Sequence, residues 1–133
     1  MMKRSPFLPF YVYAIMLLGL MSIPPSSLIR LQRKSGLFAV IFSDYTFHFI
    51  GFGLLAWLLC IGFNKARDGK IPYILVGLIA VGYGFFIEVC QIFIPYRTFG
   101  LDDLTADAVG VVAGLFAFCL FKKRGQATLY RGN

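Results

Sequence analysis

Ile71 to Ile94 reads IPYILVGLIAVGYGFFIEVCQIFI, twenty-four residues that carry a single charge, Glu88. About 20 mostly apolar residues cross the hydrocarbon core of a bilayer as a helix. This stretch is therefore long enough to span a membrane, and its neighbours decide the fold. Three further stretches of the same kind exist. Phe7 to Ile23 (FLPFYVYAIMLLGLMSI) follows Lys3 and Arg4 and stops at Pro24-Pro25, which cannot continue a helix. A cleaved signal peptide is the rival for that segment, but no small-x-small cleavage site follows it. Asp44 to Phe63 and Asp103 to Phe121 complete the set. The sequence predicts an all-α integral membrane bundle of four transmembrane helices, over 7–23, 44–63, 71–94 and 103–121. A polar tail, expected to be mobile, covers 122–133. LFAVIF (Leu37 to Phe42) is expected to lie along the interface before the second span. The 133 residues form one domain, without an evident internal repeat.

Composition supports this reading. Hydrophobic residues make up 59% of the chain and charged residues 14%, with a mean hydropathy of +0.76. Soluble domains carry about 25% charge, and so apolar a small globule would expose aggregating patches. A soluble enzyme, a disordered chain and a nucleic-acid-binding module are thereby excluded. The net charge of +7 has another source. With both termini cytoplasmic, nine basic residues and Asp68 fall on the inner side, a balance of +8. Four basic residues and five acids fall outside, a balance of −1. Positive residues favour the cytoplasmic face, so the charge orients the bundle in a cytoplasmic membrane. The partner it implies is lipid, not nucleic acid. Cys60, Cys90 and Cys119 lie within spans at no metal-binding spacing and read as small buried hydrophobes.

The polar residues gather at the outer pole. Asp44 and His48 are spaced i, i+4, Glu88 and Gln91 i, i+3, and Asp103 and Asp107 i, i+4, so each pair lies on one helical face. Arg97 belongs to the loop between the third and fourth spans. Ionisable side chains inside spans are costly and normally face the bundle interior or a water-filled cavity. Glu88, deep in an apolar helix, needs a partner or a proton; Arg97 and His48 are the nearby candidates. Glu88 and His48 are the candidate general base or proton carrier. Asp44, Gln91, Arg97, Asp103 and Asp107 are the candidate ligand-binding residues, with Arg97 suited to a phosphate or carboxylate. Structural roles compete with these. Asp44, Asp102 and Asp103 open helices, where acids cap free N–H groups and complement the dipole. For His48, Glu88 and Asp107 the structural alternative is a buried polar knot. Gly110 and Gly114 form a GxxxG pair suited to close helix packing. No P-loop, GxSxG, CxxC or HExxH is present, so no cofactor is expected. One histidine among carboxylates suits no particular metal, and no metal is assigned.

These motifs, in order, are D-x-x-x-H at Asp44 and His48, E-x-x-Q at Glu88 and Gln91, Pro95-Tyr96-Arg97, D-x-x-x-D at Asp103 and Asp107, and G-x-x-x-G at Gly110 and Gly114. The pattern resembles the VanZ-like family of small bacterial membrane proteins, named after a protein associated with resistance to the glycopeptide teicoplanin. The resemblance covers Asp44 to Gly114 and the first span with its SIPPSSL ending. One departure stands out: the family usually has Asn where this chain has Asp107. The resemblance implies a multi-pass protein of the bacterial cell envelope with a role in glycopeptide resistance. Its ligand would be glycopeptide-like or an envelope lipid. Two alternatives remain: a membrane enzyme acting on a lipid-linked substrate, and a structural or partner-binding protein without catalysis. Transport is disfavoured, because four spans are few without a homo-oligomer and the inner halves of the first and last spans carry no charge.

Overall fold

The computed structural model describes residues 5–22, 43–95, 97 and 99–130. Among them are four helices and no strand: α1 (Leu8–Met21), α2 (Asp44–Ala66), α3 (Tyr73–Gln91) and α4 (Leu101–Tyr130). The expected interfacial segment Leu37 to Phe42, the basic loop Arg30 to Gly36 and the terminal Lys3, Arg4 and Arg131 lie outside the described residues.

The helix bounds differ from expectation for local reasons. α2 runs to Ala66, because Asn64, Lys65 and Ala66 continue a helix without strain. It stops where Asp68 and Gly69 take positive φ, 47° and 86°, the left-handed geometry that ends helices. α3 starts after Pro72, whose missing N–H is harmless at a helix start. It ends three residues short of Ile94. Tight turns follow, with Phe93 N–H donating to Cys90 C=O at 3.1 Å and Ile94 N–H to Gln91 C=O at 3.0 Å. Pro95 keeps its predecessor from continuing the helix. α4 begins two residues earlier than expected and continues to Tyr130, so most of the supposed tail is helical.

α2, α3 and α4 are long and apolar enough to cross a membrane; α1 is apolar but has only 14 residues. The outward surface is apolar as well. Ile15, Ile74, Leu78, Val112 and Phe116 stand between 65% and 83% exposed. Contiguous apolar surface of this kind requires a non-aqueous solvent, and the fold is that of a membrane protein.

α2 is the hub. It packs most extensively on α4 and also touches α1 and α3. Glycines set the α2–α4 distance. A Cβ on Gly110 would collide with the Phe49 carbonyl, and one on Gly114 with the Gly53 carbonyl. Conversely, a Cβ on Gly53 would sit 3.1 Å from the Gly110 oxygen. Backbone meets backbone here, as small residues permit in lipid. α1 is tied on by side-chain bonds: Tyr83 Oη donates to Ala14 C=O at 2.6 Å and Tyr13 Oη to Gly51 C=O at 3.2 Å. In lipid, such bonds supply cohesion that apolar contact alone does not.

Candidate functional site

The polar pole is assembled from three helix ends and one loop. Ser43 caps α2: its Oγ accepts from Thr46 N–H at 3.3 Å. That leaves Asp44 for another task, and its Oδ2 accepts from Arg97 Nη1 at 2.8 Å. The Asp44 side chain is one-third exposed (33%) and that of Arg97 only 6%. This pair fastens the α3–α4 loop to the start of α2.

One turn further along α2, His48 is fully buried. Its Nδ1 lies 2.8 Å from Asp107 Oδ1 on α4, also fully buried. The imidazole stacks on Phe52, with centroids 6.3 Å apart and planes 12° from parallel. Asp107 fits because Gly84 of α3 lies opposite it: a Cβ there would come 2.5 Å from Asp107 Oδ2. The bare backbone of Gly84 is what admits a carboxylate between α2, α3 and α4.

Glu88 is fully buried on α3. Its partner is neither of the expected side chains. Gly100 N–H donates to Glu88 Oε2 at 2.9 Å. Gly100 C=O in turn accepts from Leu104 N–H at 3.2 Å, so Gly100 is the residue that opens α4. A glutamate of one helix thus holds the first N–H of another, where the helix dipole favours an anion. In a capping box that carboxylate comes from the helix's own third residue. Asp103 occupies that position here and is turned to a different use. A ring nitrogen of His48, a carboxylate oxygen of Glu88 and one of Asp103 lie within 4.8 Å of one another. Asp103 is the half-buried member of that trio.

Gln91, predicted to line the site, is buried but faces α1: its Nε2 donates to Met21 C=O at 3.0 Å. Asp102 is exposed on the first turn of α4. The fold therefore brings His48, Glu88, Asp103 and Asp107 together, with Arg97 and Asp44 beside them, while Gln91 acts as an interhelical tie. Sequence reasoning misses Ser43 and Gly100, and it reads Gly84 only as a small residue for close helix packing, not as the neighbour of Asp107. Ser43 was legible as a cap residue just before an apolar helix. The other two act through backbone and vacant space, which no side-chain pattern announces. The cysteines are free thiols, Cys60 buried and the others partly so.

Three atoms of the cluster have no hydrogen-bond partner among the described residues: His48 Nε2, Glu88 Oε1 and Asp107 Oδ2. Buried polar groups are paired in the large majority of cases, so three such atoms in one cluster set it apart from the rest of the described core.

The comparisons agree with this architecture. The family model described as VanZ/LLP1 matches residues 7–122, nearly the whole chain. The chain belongs to the VanZ/LLP1 family. No curated protein and no solved structure matches it significantly.

Proposed function

We propose that this VanZ/LLP1 family member serves the bacterial cell envelope from the cytoplasmic membrane, with both termini inside and its polar pole at the outer face. There it lowers susceptibility to teicoplanin-type glycopeptides by acting on an envelope lipid. The observation that carries the reading is the set of unpaired buried atoms on His48, Glu88 and Asp107. A polar knot kept only for cohesion would satisfy its members, because a half-satisfied network is worse than an apolar core. The sidedness rests on charge. Lys65, Arg67, Lys70, Lys123 and Arg124 are exposed at the end opposite the cluster, where a cytoplasmic surface is expected to carry them.

A lipid substrate is favoured by a second feature. A shallow apolar groove follows the α2–α4 seam, lined by Tyr45, Phe49, Ile50, Ala106 and Val109, and reaches Thr46 and Asp102 at the polar pole. It continues past Gly53 and Gly114 toward Trp57. An acyl chain laid in this groove would bring its headgroup to Thr46, next but one in the chain to Asp44, and to Asp102, adjacent to Asp103. Arg97 then recognises the anionic group, and the half-buried Asp103 forms the mouth of the cluster.

The test is drug sensitivity in a susceptible host. The wild-type chain is expected to raise the inhibitory concentration of teicoplanin over empty vector. Glu88→Gln, His48→Ala and Arg97→Ala, at equal membrane abundance, are expected to return it to the vector value. A wild type that behaves like empty vector removes the resistance role. Variants that protect as well as wild type remove the cluster from it. Turnover of labelled envelope lipids by purified protein distinguishes a membrane enzyme from a binding protein.

A further inference from the structure

We infer that His48, Glu88 and Asp103 form a binding site for one divalent transition-metal ion, of the zinc, manganese or iron class. Three observations support it independently of the drug-resistance reading.

The first is the donor set. A ring nitrogen and two carboxylate oxygens, each from a different residue, lie within 4.8 Å of one another. Metal–nitrogen and metal–oxygen bonds to zinc are about 2.0–2.2 Å, which separates neighbouring ligand atoms by about 3.5 Å. Small side-chain rotations bring the three donors onto one ion. Three protein ligands with an open fourth position is the arrangement of catalytic zinc sites, whereas structural sites close all four.

The second is that donors are held ready and unused. His48 Nδ1 is taken up by Asp107 at 2.8 Å, which leaves Nε2 as the coordinating nitrogen. Nε2 has no partner among the described residues, on a side chain that is fully buried. Glu88 Oε2 is taken up by Gly100 N–H at 2.9 Å, and Oε1 has no partner either. A carboxylate on the far nitrogen of a histidine ligand fixes its tautomer and raises its basicity, a support that metal sites use almost universally. Glu88 has the same support from a backbone N–H. Asp107 is a positioning residue in this scheme, acting on the ion through His48.

The third is charge. Asp44, Glu88, Asp103 and Asp107 converge at this pole with Arg97 and His48 as the cations nearby. A neutral histidine ligand leaves three more negative charges than positive ones when all four acids are ionised. Buried charge without compensation is expensive, and pairing or metal coordination is how proteins meet it. A divalent ion removes most of the excess. The alternative is protonated acids, and the experiment separates the two.

The chain is purified in detergent, stripped with chelator, dialysed and titrated separately with zinc, manganese and cobalt, with bound metal measured by elemental analysis. One ion per chain is expected. Cobalt is expected to give a visible absorption spectrum characteristic of nitrogen and oxygen ligands. His48→Ala, Glu88→Gln and Asp103→Asn are each expected to abolish stoichiometric binding. Asp107→Asn is expected to weaken it about 10–100-fold. Asp102→Asn, on the exposed first turn, is expected to bind like wild type. Asp103→Asn is the variant to rely on for folding, since its side chain is only half-buried; elution as a single species identical to wild type establishes that the fold is kept. No binding by the wild-type chain, or stoichiometric binding that survives His48→Ala and Asp103→Asn, overturns the site. Metal binding is read without drug or lipid, so this inference and the resistance role fail separately.

Discussion

The two ends of the bundle use the same ingredients in opposite ways. At one end the acids outnumber the one cation, Arg97, and although Asp102 is exposed, His48, Glu88 and Asp107 are wholly withdrawn from the surface. At the other the basic side chains are turned outward: Lys65, Arg67 and Lys70 stand exposed around a tight turn, and Lys123 and Arg124 lie exposed on α4. Each end has a polar tie from α4. His48 meets Asp107 at one, and Lys122 Nζ donates to the Gly69 carbonyl at the other. The first tie joins two ionisable groups that cannot reach solvent. The second joins a long flexible side chain to a carbonyl in a loop. Burial is expensive for ionisable groups and nearly free for lysines at a membrane boundary. The basic end therefore needs only orientation and solubility to account for it, while the burial of the acidic end is what the proposed function sets out to explain.

The comparison breaks most easily at Asp107. Replacing it with Ala leaves His48 buried without its partner. Removing one member of a buried pair costs about 3–5 kcal/mol. Asp107→Ala is expected to give the largest loss of thermal stability in detergent, with reduced folded yield. A midpoint equal to wild type would show that the cluster is less committed to the fold than its burial implies.

Between the two ends lies the glycine seam, and its effect is intermediate. A methyl group at Gly110 meets the Phe49 backbone, which has no rotamer to yield. Overpacking costs about 1–3 kcal/mol, and Gly110→Ala is expected to fall in that range by thermal unfolding. Gly82, on α3, has nothing within 4 Å of its would-be Cβ. Gly82→Ala is the control, expected to be neutral or stabilising by up to about 1 kcal/mol through helix propensity. Equal loss from both variants would remove close backbone approach as the reason α2 and α4 pack so extensively.

Much of this was legible in the sequence. The twenty-four-residue stretch at Ile71 to Ile94 and its companions announced membrane helices, because apolar length is a direct consequence of bilayer thickness. The i, i+4 spacing of Asp44 and His48, and of Asp103 and Asp107, announced polar faces at one depth, because helical periodicity fixes which side chains stack. Pairing was not legible. Nothing in Glu88's surroundings along the chain says that its partner is a backbone N–H at Gly100, or that Arg97 turns to Asp44. Those choices depend on how α3 and α4 meet across a loop. Spacing within a helix says nothing about geometry between helices. Gly84 shows the limit most plainly, since its contribution is the space it leaves for Asp107. The continuation of α4 to Tyr130 is hidden for a different reason: its polar composition resembles a tail, although Lys, Arg, Gln and Ala are all good helix formers.

The smallest expected effect sharpens the contrast from the other side. Lys122 and Asp107 sit on the same helix, and each ties α4 to another segment through one polar contact. Geometry alone would rank them as equals. Environment does not, because the Gly69 carbonyl, at a partly buried turn, can exchange its lysine for water or a lipid headgroup when the side chain is lost. Lys122→Ala is accordingly expected to change stability by no more than about 0.5 kcal/mol, as surface substitutions usually do. Thermal unfolding of Lys122→Ala beside Asp107→Ala in the same detergent measures the difference. A loss at Lys122 approaching that at Asp107 would mean that both ends are held by their polar contacts alike. Burial would then no longer distinguish the acidic end from the basic one, and the proposed site would lose that support.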